Sequence, residues 1–458
     1  MSEKYHLVGI GGAGMSGLAR LLLADGCVVS GSDVRESATV AALRTLGARV
    51  AIGHRAENVG DAARVVYTDA AADDNPELGE ARRRGAVVWR RAELLARVME
   101  GRVGVAIAGT HGKTTTTGMA ASVFLAADLD PRVLIGGDWS GIGGNAWAGQ
   151  GTWFLAEACE AFHSFLSLRP DVAVITNIEA DHLDCHGSLE GVVEAFRAFL
   201  QRLSPNGWAV GCGDDPRVAD LLRAIPQRSV TYAIDSDSDY RADELRLDGL
   251  RPSFAVIRSR QRLGTLELGV PGRHNVLNAL AVTALSLEAG VEFAAVQRGL
   301  AAFGGVERRF ERLGEGRGVL VMDDYAHHPT EVAATLAGTR RALARPLTVV
   351  FQPHLFSRTE LLQREFGQSF RDADRVYVTP IYPAREAPIP GITGETIVRR
   401  IRELDPDRHV AYAPDRDALL QALLETSRPG DVVMTMGAGD IRALGVELVH
   451  RLRRMQEG

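Results

Sequence analysis

Val103-Gly104-Val105-Ala106-Ile107-Ala108-Gly109-Thr110-His111-Gly112-Lys113-Thr114-Thr115-Thr116 is the stretch on which the fold turns. Its first six residues form a short apolar run that reads as a strand. Gly109 and Gly112 make a tight turn, and Lys113 falls at the start of a helix-compatible segment that continues through Met119 to Leu129. Backbone N–H groups at such a helix start can wrap a phosphate; the lysine adds a point charge, and the Thr114 hydroxyl can reach Mg²⁺. The standard spacing would place a glycine at 107, where this chain has Ile107, so the loop is a shortened variant. A glycine turn with a surface lysine is the plain alternative. The context favours a nucleoside triphosphate, ATP or GTP.

Towards the N-terminus the same grammar recurs. A strand at Tyr5 to Val8 leads into Gly9-Ile10-Gly11-Gly12-Ala13-Gly14, then a helix from Met15 to Ala24, and a second strand, Cys27 to Ser30, runs on to Asp33. This Gly-x-Gly-x-x-Gly, with an acidic residue about 20 positions later, fits a dinucleotide site. It fits the pyrophosphate of any nucleotide conjugate equally well. A purely structural glycine turn is the third reading.

Towards the C-terminus, Trp153 to Ala156 and Val172 to Thr176 read as buried strands, ending at Glu157 and Asn177, and Asp181-His182 follow. Ligands gather at the carboxyl edge of open parallel sheets, so Glu157 and His182 are expected to face the glycine turn and to contribute to Mg²⁺ binding. Each taken singly could equally be a cap or surface residue. Ser229 to Val270 shows short alternating runs, which predicts an antiparallel patch. Arg273-His274-Asn275 opens a helix carrying Asn275 and Asn278 at i, i+3, where an ordinary N-cap is the competing reading. The glycine-rich Arg312 to Gly318 predicts a linker. Strands then resume at Val319 to Met322, Leu347 to Phe351, Arg375 to Val378 and Val432 to Thr435. Asp323-Asp324-Tyr325-Ala326-His327-His328-Pro329-Thr330-Glu331 lacks zinc-site spacing, and Pro329 suits a helix start, so this is a strand-to-helix loop. Arg358 could fork onto a carboxylate, although a solvated arginine is commoner.

These blocks predict an α/β protein of three domains. Residues 1–98 are Rossmann-like, 99–312 form a P-loop ATPase domain with a parallel sheet plus a small antiparallel patch, and 313–458 are again Rossmann-like. The 46% hydrophobic and 24% charged composition is that of a globular protein, and a net charge of −6 argues against a general nucleic-acid binder. Four cysteines without a Cys-x-x-Cys pair read as reduced thiols. No signal peptide fits Met1 to His6, and no apolar run reaches membrane-spanning length, which predicts a cytoplasmic protein without a membrane partner.

The chain resembles the Mur ligases of bacterial cell-wall synthesis over essentially its whole length. The resemblance rests on Gly9 to Gly17, Gly109 to Thr116, Thr176 to Asp184, Gly272 to Asn275, Arg308 to Glu311 and Asp324 to Glu331. It implies a UDP-sugar domain, an ATPase domain and an amino-acid domain, with ATP and Mg²⁺ as cofactors. By resemblance the UDP portion would lie on Gly9, Gly11, Gly12, Ala13, Gly14, Met15 and Ser16, with Asp33 nearby. The nucleotide would lie on Gly109, Thr110, His111, Gly112, Lys113, Thr114, Thr115 and Asn177, bordered by His274, Asn275, Asn278, Arg309 and Asp324. Thr114 and Glu157 would hold one Mg²⁺ and His182 a second, while His327 and Arg358 would lie near the incoming amino acid.

Members that add later amino acids carry a carbamylated lysine downstream of His182. Here the position falls at about Phe196, and Glu190 to Arg202 contains no lysine, as in the alanine-adding branch. That branch implies UDP-N-acetylmuramate and L-alanine as partners, and a monomer or weak homodimer is expected. Leu355 stands where some alanine-adding members have an arginine, which leaves Arg358 to hold the substrate carboxylate without that neighbour. The rivals are a ligase that recycles a tripeptide onto the same UDP-sugar, disfavoured by the compact Glu157 to Pro170, and an NAD-dependent oxidoreductase, supported only by the first glycine motif.

Overall fold

The protein is described by a computed structural model covering residues 3–68, 71–72, 74–384 and 386–457. Three sheets carry the chain, and they divide into two compact units. The first unit comprises Met1–Leu245, Phe254–Glu267 and Val276–Phe303; the second comprises Arg246–Ser253, Leu268–Asn275 and Gly304–Gly458. Among the described residues no helix is long and apolar enough to cross a membrane.

The first unit opens with a five-stranded parallel sheet in the order Arg49–Ile52, Val28–Asp33, Lys4–Val8, Arg64–Tyr67, Val87–Arg90. Strand Lys4–Val8 is therefore central. It passes through Gly9–Gly12 into helix Ala13–Ala24, at the point where the strand order reverses and ligands characteristically bind. Leu18, Leu21 and Leu22 of that helix are buried beside Leu7 in the core.

The same unit holds a ten-stranded sheet. Its central strand, Val103–Ala108, is buried at five of six positions and lies between Val172–Ile175 and Trp153–Glu157, parallel to both. Three neighbouring strands thus end at one edge, bringing Gly109–Thr114, Glu157 and Asn177 together. Ile107 belongs to the strand and is fully buried, which is why the turn is short.

The expected antiparallel patch is an extension of this sheet. Arg228–Ala233 pairs parallel with Trp208–Cys212, and Tyr240–Arg246 pairs parallel with Arg228–Ala233. Beyond them Ser253–Arg258 and Gln261–Glu267 form a hairpin closed by Ser259-Arg260, with φ of 47° and 70°. Positive φ at both central residues is the two-residue hairpin geometry, made here without Gly or Asn, so the turn chemistry leaves no trace in the sequence.

The second unit's sheet runs Glu311–Gly316, Val319–Asp324, Val432–Met436, Leu347–Phe351, Arg375–Val378, His409–Tyr412. Its pairs are parallel except the first, which is antiparallel. Here the structure corrects the sequence expectation: Arg312–Gly318 is no linker but an edge strand and its turn. Its glycines serve close packing. A Cβ on Gly316 would lie 2.8 Å from Leu452 Cβ of the final helix, and one on Gly314 would lie 2.8 Å from Val449 Cγ1.

Candidate functional site

The phosphate loop is stapled from the neighbouring strand. The Thr110 N–H donates to Asn177 O (3.0 Å), the His111 N–H to Asn177 Oδ1 (2.9 Å), and Thr176 Oγ1 to His111 O (2.6 Å). Gly109 has φ 136° and a Cβ there would fall 1.9 Å from Thr176 Oγ1; Gly112 has φ 84° and a Cβ would fall 2.7 Å from Asn278 Oδ1. Both positions need glycine on steric grounds. Thr110 is buried and accepts the Glu179 N–H at 2.8 Å, while the His111 ring lies 3.3 Å from the Glu179 carboxylate.

Helix Lys113–Ala126 begins at the turn, so its first N–H groups and Thr115 lie at the mouth of the site. Lys113 folds back over the loop. Its ammonium donates to Gly109 O, to Thr110 O at 3.1 Å, and to both carboxylate oxygens of Glu160 at 3.0 and 2.9 Å. Burial pushes the lysine pKa down, but the adjacent Glu160 charge outweighs it and lifts the value to about 12. Lys113 is therefore a held cation at neutral pH. Thr114 Oγ1 donates to Glu157 Oε2 at 3.2 Å, a hydroxyl–carboxylate pair of hard oxygens that suits Mg²⁺. Glu157 also accepts the Gly136 N–H, and a Cβ on Gly136 would strike its carboxylate at 2.7 Å. His182 adopts φ 52° at the start of a short helix, with Nε2 4.0 Å from Glu160 Oε1.

Glu160 carried no motif in the sequence beyond its place three residues after Glu157. Its side chain is 2% exposed and sits between Lys113 and His182. The chain leaves it through Phe162 and His163, both at φ 54°, an uncommon conformation for bulky side chains. Phe196 is fully buried against Phe165, ring centroids 5.3 Å apart.

The first glycine loop is arranged differently. The Gly9 and Ile10 N–H groups both donate to Ser32 O, Gly12 N–H donates to Gly9 O, and Gly11 N–H donates to Asp33 Oδ2 at 2.9 Å. The loop's own amides are thus consumed internally, and Asp33 turns back onto Gly11. Ala13, Gly14 and Met15 open the helix and offer its first N–H groups. The Met15 side chain is in the core; Ser16 is buried, donating to Ala13 O and accepting from Asn145 Nδ2, each at 3.0 Å. Met15 can meet a ligand through its backbone N–H, whereas the Ser16 N–H already donates to Gly12 O at 2.8 Å.

In the second unit, Asp324 ends strand Val319–Asp324 and accepts the Phe310 N–H (2.7 Å) and the Ala326 N–H (2.8 Å); burial raises its pKa. Its neighbour Asp323, fully buried, is pushed up to about 6 by burial despite Thr435 Oγ1 at 2.6 Å. The guanidinium carbons of Arg308 and Arg309 each lie 4.9 Å from the Tyr325 ring centroid, and Arg309 reaches Glu331 at 3.7 Å. His274 is driven down to about 4 by burial, so it is neutral at pH 7; Asn275 donates to Pro271 O at 2.7 Å. Asn278 lies one turn later on the same helix, Arg273–Glu288.

His327 Nδ1 lies 3.0 Å from Tyr325 O and 3.2 Å from Glu331. Its ring meets His354 edge to face at 5.6 Å, and His354 stacks on Tyr382 at 5.9 Å. Arg358 is buried, with Nη1 3.2 Å from His354 Nδ1. The structure thus brings His327 and Arg358 together through His354, which follows strand Leu347–Phe351 and was legible only as part of a strand-end loop.

A lysine held at a short glycine turn, a hydroxyl–carboxylate pair beside it and a second glycine loop on a parallel sheet define a nucleotide-binding α/β protein of the phosphate-loop class. The chain belongs to the Mur ligase family. It matches the Mur ligase family catalytic domain over residues 4–102, the Mur ligase middle domain over 156–286 and the Mur ligase glutamate ligase domain over 308–439. It is 46% identical over 451 residues to the UDP-N-acetylmuramate–L-alanine ligase of Geotalea daltonii, covering 98% of each chain, and 47% identical over 457 residues to that of Geobacter sulfurreducens, covering 99% of each. Among solved structures it resembles the UDP-N-acetylmuramate–alanine ligase of Thermotoga maritima, with TM-score 0.83, 31% identity and 98% of each chain covered. It also resembles a murein peptide ligase of Psychrobacter arcticus, with TM-score 0.74, 25% identity, and 98% and 99% covered.

Proposed function

We propose that this protein is an ATP-dependent ligase joining L-alanine to the lactyl carboxylate of UDP-N-acetylmuramate, a cytoplasmic step in peptidoglycan precursor synthesis. The observation that carries the reading is the buried Lys113 at the glycine turn beside the Thr114–Glu157 pair, in a chain 46% identical to an alanine-adding relative across its length. The murein peptide ligase likeness is weaker, at 25% identity, and the tripeptide and nicotinamide alternatives are not favoured. The proposed assignment is 1–98 for the UDP-sugar, 99–303 for ATP and 304–458 for the amino acid, the last boundary moved from 312/313 because strand Glu311–Gly316 belongs whole to the second unit's sheet.

A carboxylate acylates amines poorly and must be activated. The lactyl carboxylate oxygen attacks the γ-phosphorus of ATP; the new P–O bond forms as the bond to ADP breaks, giving an acyl phosphate. The neutral amine of L-alanine then attacks the carbonyl carbon; as the amide forms, the carbonyl C–O bond to phosphate breaks, inorganic phosphate leaves with that electron pair, and the proton lost from nitrogen passes to phosphate or water. Lys113 neutralises charge on the transferred phosphoryl group, and the turn Gly109–Gly112 with the N–H groups of Thr114 and Thr115 holds the phosphates in line. Thr114 and Glu157 would hold one Mg²⁺ and His182 a second. Mg²⁺, when bound, offsets phosphate charge. Asn177 fixes the loop. By the family resemblance His274, Asn275, Asn278, Arg309 and Asp324 would border the nucleotide. Arg358 and His327 receive the amino acid, the guanidinium meeting its carboxylate.

Phosphate release from ATP with UDP-N-acetylmuramate tests the reading, comparing L-alanine, the tripeptide and no acceptor. Release with L-alanine alone is expected. Faster release with the tripeptide would transfer the chain to the recycling branch.

A further inference from the structure

We infer that Arg91 clamps the diphosphate of the UDP-sugar against the start of helix Ala13–Ala24, an inference that rests on reading the first glycine loop as the UDP-sugar site. Arg91 is the first residue of helix Arg91–Met99, immediately after strand Val87–Arg90, so it stands at the carboxyl edge of the first sheet, where the glycine loop also lies. Its guanidinium lies over Gly14. A Cβ at Gly14 would fall 3.1 Å from Arg91 Nη1 and Cδ and 3.4 Å from Nε. The third glycine of this motif ordinarily relieves helix–strand packing. Here its missing side chain leaves room for an arginine.

Two further observations give that arginine a ligand to hold. Arg91 is half-buried, and among the described residues no carboxylate pairs with it. Other arginines of this unit have carboxylate partners, as Arg132 reaches Asp25 at 2.6 Å and Arg64 reaches Glu3 at 2.8 Å. Helix Arg91–Met99 packs against the turn Ala161–Ser167, which follows Glu160 directly. Meanwhile the loop has spent the amides of Gly9, Ile10, Gly11 and Gly12 on Ser32, Asp33 and itself. What remains for a ligand is the helix start at Ala13, Gly14 and Met15, equivalent to roughly half a positive charge. A diphosphate brings about two negative charges. An unpaired guanidinium whose fork matches phosphate oxygens makes up the difference.

Titration calorimetry with UDP-N-acetylmuramate and with UDP, on the intact protein and on Arg91→Ala, Arg91→Lys and Gly14→Ala, tests the inference. Arg91→Ala is expected to weaken both ligands by a similar factor, roughly thirty-fold, as for loss of charge-assisted hydrogen bonds. Arg91→Lys should recover part of the loss, and Gly14→Ala, which crowds the guanidinium, should reproduce part of it. Affinity for a non-hydrolysable ATP analogue should stay within two-fold in all three, which also reports that they are folded. If Arg91→Ala weakens UDP-N-acetylmuramate but not UDP, the arginine faces the lactyl carboxylate and the diphosphate assignment is wrong. If neither ligand is affected, Arg91 merely packs on Gly14. If the intact protein binds neither ligand, the UDP-sugar reading itself falls, and this inference with it.

Discussion

The two glycine loops of the first unit look alike in sequence and are built on opposite electrostatic plans. Both follow a central parallel strand and open a helix. The Gly109–Thr114 loop carries its own cation, Lys113, and the fold supplies a buried carboxylate, Glu160, to hold it. The Gly9–Gly14 loop carries no cation, and its nearest carboxylate, Asp33, is bound to the loop's own amide. The difference teaches what a glycine motif means. The pattern specifies a turn that backbone can approach closely; the charge placed around the turn decides whether it performs chemistry on phosphate or only anchors it. In the anchoring loop one oxygen of Asp33 thus serves the turn itself, accepting the Gly11 amide.

The most forceful way to break this comparison is Lys113→Ala. Removing the cation from the reacting loop should lower kcat on the order of 10³-fold or more, with UDP-N-acetylmuramate affinity held within two-fold. Steady-state kinetics and calorimetry decide it; near-normal turnover would mean that the two loops do not differ in role. Glu160→Gln sharpens the point. It leaves Lys113 buried without its counter-charge, a loss of about 3 kcal/mol for a broken buried pair. Urea unfolding should show that loss without nucleotide and much less of it with saturating ATP, whose phosphates replace the carboxylate. Equal destabilisation in both conditions would make Glu160 a structural group only.

Gly11→Val addresses the anchoring loop. A side chain there meets Asp33 Oδ2 at 2.7 Å and Val40 Cγ2 at 3.2 Å, so the aspartate must release the amide. UDP-sugar affinity is expected to fall ten-fold or more, with the ATP analogue unaffected; an NADH titration with saturable binding displaced by NAD would instead revive the dinucleotide site. The smallest effect expected is that of Arg358→Lys, which extends the comparison to the second unit. It keeps the charge and loses the fork, so KM for L-alanine should rise about ten-fold, near 1.4 kcal/mol, while KM for ATP and the UDP-sugar stays put. An unchanged alanine KM would pass the carboxylate to His327 or to backbone.

The sequence alone determined the features that are local in the chain. Apolar runs ending in glycine turns fixed where strands meet helices, because φ values such as the 84° of Gly112 admit few other residues. The absence of a lysine between Glu190 and Arg202 was equally readable, and Phe196 in that stretch is buried in the core. Where the same local rule had two causes it misled: the glycines of Arg312–Gly318 resemble a flexible linker, yet they are there so that a helix can lie on an edge strand.

Only the tertiary structure decided which charges meet. Glu160 reaches Lys113 across 47 residues, Asp33 reaches Gly11 across 22, and Arg91 comes to Gly14 from the end of the sheet's outer strand, Val87–Arg90. Such pairings follow from strand order and from side-chain space left by neighbours. These are properties of long-range packing that no periodicity or spacing encodes.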